Sequence, residues 1–359
     1  MNRWQCLAAA AVALCAALWT ANAPAQPSGC TTAAGPGCYR AFQPPGAEGT
    51  LNYYASLAPE DAPSGTSAST SAAPSAVASA PTKALIAMHG HPRDADKTFN
   101  AALLAVRNAD ALADTLVVAP VFQVAADKAA RCSAPGVPQA QAGDLLWTCG
   151  SWLEGGRAEN GARITSFAAM DALVAELARR WPSLRTVTIA GFSAGAQMVQ
   201  HYIGFADSEH AGAASVAVRY VVADPGTWLY FDAWRPQPVA EGTCPGVNRW
   251  KYGTDGLPAS LGRTAAQARQ RYAAADISYL EGALDSSDAK GTYYGILDKS
   301  CAAMAQGPYR MQRGLAYAQY DRTLLAPGKR REVVVVPGCA HDVACVFPSE
   351  AARAALLGR

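Results

Sequence analysis

The 359-residue chain has little net charge, few histidines and few long apolar runs. Its 30 lysines and arginines nearly balance 28 aspartates and glutamates, a formal charge of +2, and no stretch gathers the basic residues into a stripe. Nucleic-acid binding therefore has no electrostatic footprint. Beyond residue 25 no apolar run reaches the about 20 residues that a membrane span needs, which argues against stable membrane insertion. No two cysteines have C-x-x-C spacing, so the usual zinc and thiol-redox arrangements are missing. No internal repeat is apparent. Only five histidines occur, His89, His91, His201, His210 and His341, so any base or metal ligand must come from a short list.

The chain opens Met-Asn-Arg, runs apolar from Cys6 to Trp19 and then reads Ala23-Pro24-Ala25. One basic residue, an apolar stretch of roughly 14 residues and an A-x-A site predict a secretory signal peptide over residues 1–25. The expected location is secreted or periplasmic. No lipobox precedes Cys15, so a lipid anchor is not expected. Residues 26–359 suit one large domain by length. Of the ten cysteines, Cys6 and Cys15 leave with the signal peptide. The even remainder in an exported chain reads as disulfides, although eight cysteines allow 105 connectivities. Pairing of chain neighbours gives Cys30–Cys38, Cys132–Cys149, Cys244–Cys301 and Cys339–Cys345.

Residues 59–82 contain no leucine, isoleucine or aromatic residue and cannot supply a core. They are expected to be a disordered surface insert joining two strands of one sheet, around 49–55 and 83–88, because long surface insertions cost little free energy. Further strands are predicted at 115–119, 186–190, 219–223, 276–280 and 332–336. Helices are predicted over Ile164–Arg180, over the run from Ala196, and over Met304–Tyr320. Short apolar strands alternating with helices imply a mostly parallel sheet with helices on both faces. Functional groups in such sheets gather at the carboxyl ends of the strands.

Between the strand at 186–190 and its helix lies Gly191-Phe192-Ser193-Ala194-Gly195. Strand, G-x-S-x-G and helix is the context of a nucleophile elbow, which pushes its serine out of the sheet. A serine nucleophile needs a base, and the base needs an orienting carboxylate. Only His210 and His341 follow the elbow helix. His210 sits in a polar stretch and reads as a solvated residue, whereas His341 follows the all-valine strand directly. His341 is the expected base, inside the loop that a Cys339–Cys345 bridge would close. The acid should follow an earlier strand: Asp285 leads, with Asp224, Asp288 and Asp298 as alternatives. The oxyanion of a tetrahedral intermediate needs backbone donors. Ala194 supplies one, and Gly90 or His91 the other, because Pro92 has no N–H.

With these residues assembled, the chain resembles the α/β-hydrolase superfamily from about Gly49 to Phe347. Within it the sequence is similar to exported bacterial esterases related to polyhydroxybutyrate-depolymerase-like and feruloyl-esterase-like enzymes. The matching pieces are the strand ending in His89-Gly90, Trp181-Pro182-Ser183-Leu184, Gly191-Phe192-Ser193-Ala194-Gly195-Ala196, Gly282-x-x-Asp285 and Val336-Pro337-Gly338…His341. The resemblance implies an α/β-hydrolase fold with a small cap, placed at residues 224–275, and an ester hydrolase acting through an acyl-enzyme with no cofactor. Its partner would be a small-molecule or polymeric ester. Phe192 departs from the polar residue or histidine common at that position.

Trp147, Trp152, Trp228 and Tyr230 are candidates to line a pocket for an apolar acyl group. A serine peptidase or amidase on the same fold is the near alternative. A more distant one is a metallohydrolase built on His89 and His91 with Asp94 and Asp96; its aspartate comes one place late and no third histidine follows nearby.

Overall fold

The computed structural model describes residues 29–57, 80–161, 164–207 and 216–358. The predicted signal peptide, nearly all of the 59–82 insert, and His210 lie outside them. An eight-stranded sheet forms the centre. Its strands are β1 (Tyr39–Phe42), β2 (Leu51–Ala55), β3 (Lys83–Met88), β4 (Thr115–Val121), β7 (Thr186–Phe192), β8 (Ala217–Ala223), β9 (Asp276–Gly282) and β10 (Val333–Val336). A separate two-stranded pair joins β5 (Gln123–Val124) to β6 (Leu146–Trp147). Across the main sheet the order is β1-β2-β4-β3-β7-β8-β9-β10. β1 and β2 run antiparallel, β2 meets β4 antiparallel, and every pair from β4 to β10 is parallel.

The two predicted strands flanking the insert thus share one sheet, with β4 between them. Ala55 pairs with Val118, Ser56 N–H donates to Val117, and Lys83 pairs with Thr115 at the start of β4. Leu57 and Ala80 therefore both border the amino ends of the parallel strands. Ser193 lies at the opposite, carboxyl end, one residue past β7.

Side chains alternate across a strand, so each strand feeds two cores. On β7, Val187 and Ile189 join the core under α3 (Ser166–Arg180), α4 (Ala194–Phe205) and α7 (Arg310–Tyr320). Ala190 and Phe192 join the core under α1 (Ala95–Asn108), α8 (Val343–Val346) and α9 (Arg353–Leu357). The predicted helical stripe on α3 is buried in full: Phe167, Met170, Leu173, Val174 and Leu177. Thr165 caps that helix by accepting from Ala168 N–H.

The helix predicted over Met304–Tyr320 starts later, at Arg310. The run from Met304 to Tyr320 contains Gly307-Pro308, with Gly307 at φ +133°. That conformation and a ring lacking an N–H break the ladder. The chain instead forms α6 (Cys301–Met304) and α7, separated by a turn. Helix α2 (Ala126–Ala129) is a single short turn. The stretch 224–275, expected as a cap, ends in α5 (Ala265–Ala274), which packs on α4. The irregular part before α5 is tied to α6 by Cys244–Cys301.

The four disulfides are Cys30–Cys38, Cys132–Cys149, Cys244–Cys301 and Cys339–Cys345, the pairing of chain neighbours. Cys244–Cys301 closes the longest of these loops, spanning 57 residues. In the chain-entropy account a loop of that length contributes about 4 kcal/mol. The Cys244→Ala/Cys301→Ala variant should lose about 2–4 kcal/mol in urea unfolding. An unchanged midpoint and slope would show that the irregular segment holds its place without the bridge.

Candidate active site

The elbow is built by a close approach of backbones. A Cβ on Gly191 would run into the carbonyl of Gly195, and one on Gly195 would lie 2.5 Å from the carbonyl oxygens of both Met88 and His89. Only glycine fits at either position. Between them Ser193 takes φ +57°, ψ −120°, a conformation that L side chains rarely adopt. Its N–H donates to Ala223 O at 3.0 Å and its carbonyl accepts from Gln197 N–H at 3.0 Å, so strand and helix both hold the bend.

Ser193 Oγ lies 2.8 Å from His341 Nε2, and His341 Nδ1 lies 2.8 Å from Asp285 Oδ2. Asp285 and His341 are buried, while Ser193 is partly open. If Nδ1–H donates to the carboxylate, Nε2 is left to accept from the serine hydroxyl. The loop that carries His341 is fixed from several sides. His341 N–H donates to Gly291 O, Leu284 N–H to Cys339 O, and Ala283 N–H to Val336 O. Cys339–Cys345 closes a six-residue span around His341. Phe192, the departure noted above, places its ring 4.8 Å from the imidazole and packs edge-on against Phe347.

Burial is the leading influence on His341 and pushes it below the ordinary histidine value, against the pull of the Asp285 hydrogen bond. The imidazole is therefore neutral near pH 7 and free to take a proton. Arg310, which nothing in the sequence flagged, is buried beneath Asp285. Its Nη1 donates to Asp285 Oδ1 at 3.3 Å and to Thr292 O at 2.6 Å.

The alternative acids are separated by their surroundings. Asp288 is exposed. Asp298 accepts from Tyr252 Oη at 2.6 Å and pairs with Lys251 at 3.4 Å, away from His341. Asp224 is fully buried close by: one side-chain atom from each of Asp224, Asp285 and His341 lies within 4.8 Å of the other two.

On the oxyanion side, Gly90 N–H is committed to Asp94 Oδ1 at 3.2 Å. Among the described residues, the backbone N–H groups of His91 and Ala194 have no acceptor. Ala194 opens α4, where the first N–H groups lack intrahelical partners. His89 is fully buried, its Nδ1 on Gly90 O at 2.8 Å and its Nε2 accepting from Phe122 N–H at 3.3 Å. Burial lowers it to about 4, so it is a neutral brace for this loop. Both of its ring nitrogens are thus engaged and Asp94 is held by Gly90. The set His89, His91, Asp94 and Asp96 does not converge into a metal-binding group among the described residues.

The four aromatic pocket candidates are core residues. Trp147, Trp152, Trp228 and Tyr230 are all fully buried. Trp152 stacks on Phe122 and packs against His89, and Trp147 meets Phe122 edge-on. Trp228 stacks on Tyr317, and Tyr230 packs among Tyr317, Tyr320 and Trp234. Large aromatic rings bury most area inside, and these do so. Exposed apolar side chains occur instead on the stretch that follows β9: Leu284, Tyr293 and Ile296, with the Tyr293 ring 6.1 Å from that of His341.

No family model matches the sequence, and no curated protein matches it. Solved structures do match. The poly(aspartic acid) hydrolase-1 of Sphingomonas sp. KT-1 aligns with a TM-score of 0.56 and 18% identity, over 89% of this chain and 97% of its own. A poly(3-hydroxybutyrate) depolymerase of Bordetella parapertussis aligns with a TM-score of 0.51 and 18% identity, over 87% and 85%. The chain has the α/β-hydrolase fold. In the terms of that fold, β7 is the elbow strand, and the loops after β9 and β10 carry the acid and base candidates.

Two measurements follow from this geometry. Gly195→Ala should either fail to fold or lose at least about 3 kcal/mol, because the added methyl meets rigid backbone rather than a flexible side chain; urea unfolding reads it, and near wild-type stability would mean the elbow can open. Hydrolytic kcat/KM should first rise with pH at a midpoint below the ordinary histidine value of about 6.5. A first midpoint above that would contradict a base whose charged form is disfavoured by burial.

Proposed function

We propose that the chain is a serine hydrolase that cleaves carboxylic esters through an acyl-enzyme. The observation that carries this reading is the continuous relay Ser193 Oγ–His341 Nε2, His341 Nδ1–Asp285 Oδ2, with both separations at 2.8 Å. In it, Ser193 attacks the acyl carbon while His341 takes the hydroxyl proton. His341 then returns that proton to the leaving alcohol, and water repeats the sequence to release the acid. Asp285 holds the imidazole in the tautomer that accepts at Nε2, with Arg310 steadying the carboxylate from behind. The N–H groups of Ala194 and His91 are the oxyanion donors, since Gly90 is occupied by Asp94.

The substrate would lie over the open side of Ser193, near the exposed Leu284, Tyr293 and Ile296. We assign the apolar contacts to these residues instead of the buried tryptophans. Export is part of the same proposal. Four disulfides join the described cysteines, and no described helix is long and apolar enough to cross a membrane.

Ser193→Ala should lower the turnover of p-nitrophenyl acetate by about 10⁴-fold or more, and an alkyl fluorophosphonate should label the wild type at Ser193 alone. Activity that survives in the variant and is lost to a chelator would overturn the reading. One structural neighbour is named for poly(aspartic acid) and the other for poly(3-hydroxybutyrate), so an amide and an ester polymer both belong in the assay. Faster cleavage of the amide would move the activity to the peptidase alternative. Tyr293→Ala should raise KM for longer acyl chains several-fold and leave acetyl-ester turnover nearly unchanged. An equal effect on both would remove Tyr293 from the acyl contact.

A further inference from the structure

Two further carboxyl groups lie beneath the triad, and the proposed mechanism does not use them. Asp224 directly follows β8 and Glu281 is the penultimate residue of β9; both are fully buried. Asp224 takes φ +49°, a backbone conformation unusual for a side chain other than glycine. Its Oδ1 accepts from Gly282 N–H at 2.8 Å, and Gly282 O in turn accepts from Asp285 N–H at 3.0 Å. Asp224 thus supports the turn that presents the acid. Glu281 occupies a notch in α7, where any Cβ on Gly314 would collide with its carboxyl. The side chains of Asp224 and Glu281 are in hydrogen-bond reach of each other. Yet with both ionised, Asp224 Oδ2 and the two Glu281 oxygens have no donor at all. Two buried carboxylates side by side also repel each other strongly.

We propose that Asp224 and Glu281 form a carboxyl pair that holds two protons when neutral and one shared proton when charged, and that this pair acts as a positioning device whose charge state tunes His341. The proposal rests on the triad reading above. The groups facing the pair are Asp285, which disfavours its ionisation, and Arg310, which favours it. Those facing His341 are Asp285, Arg310 and Lys97, the last salt-bridged to Asp342 at 2.8 Å. Burial and the neighbouring Asp285 raise Asp224 to about 7, and Glu281 is raised well above the ordinary carboxyl range by burial and by Asp224. Below that pH the pair is neutral and Asp285 alone faces His341. Above it Asp224 releases its proton to solvent. A second negative charge then lies within 4.8 Å of His341, and the imidazolium formed in the transition state is stabilised.

The test is the pH profile of kcat for p-nitrophenyl acetate. The wild type should rise in two steps: one below the ordinary histidine range from His341 and a second near 7. Asp224→Asn should keep the first step and lose the second, with a several-fold lower plateau. Glu281→Gln should keep both but move the second to higher pH, because the glutamine amide is a weaker donor to the ionised Asp224 than the protonated Glu281 carboxyl it replaces. A role confined to packing would scale activity equally at every pH, and that outcome overturns the proposal. So does a second step that Glu281→Gln leaves in place. Should either variant not fold, infrared spectra of the wild type decide: a protonated-carboxyl band must bleach with a midpoint near 7, and its absence overturns the proposal. Failure of the triad itself is read separately, by residual activity in Ser193→Ala.

Discussion

The site depends on a contact between backbones, the approach of Gly195 to the carbonyls of Met88 and His89. That approach brings the end of β3 against the start of α4. It therefore sets Ser193 and the Gly90–His91 loop with one constraint. Ser193 accepts an unfavourable φ because its N–H is held by β8 and its carbonyl by α4. Such strain costs roughly 1–3 kcal/mol and persists only where the surroundings over-determine it. Here two glycines, two strands and a helix provide that surplus. His89 adds to it from within, a neutral imidazole wedged between Gly90 O and Phe122 N–H.

Polar burial on the other side of the serine follows a different logic. Behind Asp285 lie a guanidinium and two more carboxyl groups, all nearly excluded from water. Arg310 is the cation that meets Asp285 there, and its reach to Thr292 O also ties down the loop that follows Asp285. Two loops, after β9 and β10, are thereby locked to one another through Ala283, Leu284 and His341. Ordering them in advance removes the entropy of finding the reactive geometry, which is a large part of what positioned groups contribute.

Much of this was legible in the sequence because its information was local. The strand–glycine–serine–glycine–helix order at 186–205 is written in consecutive residues, and so is the all-valine strand before His341. The scarcity of histidine narrowed the candidates for a base to two residues. Asp285 was legible as a candidate by its place after a strand, although Asp224 follows a strand too and only tertiary packing puts Asp285 on His341 Nδ1. Arg310 carried no signal, since an arginine at the start of a helix reads as a solvated residue until the fold closes over it. The tryptophans misled for the opposite reason. Aromatic density suits both a pocket and a core, and Trp152 and Trp228 went to the core, packed on Phe122 and Tyr317. The Gly307-Pro308 break was visible in the sequence, but helical periodicity on either side of it obscured the stop.

The chain leaves the sheet after Ala55 and re-enters it at Lys83 on the edge where the parallel strands begin, while Ser193 stands where they end. The length of the strands separates the two. Sequence can be gained or lost between these points over generations without any residue of the relay having to move. The same separation marks this junction as a place for grafting. An affinity handle, a reporter domain or a surface anchor spliced there would sit at the edge opposite Ser193, so the protein could be immobilised with the Ser193 face outward.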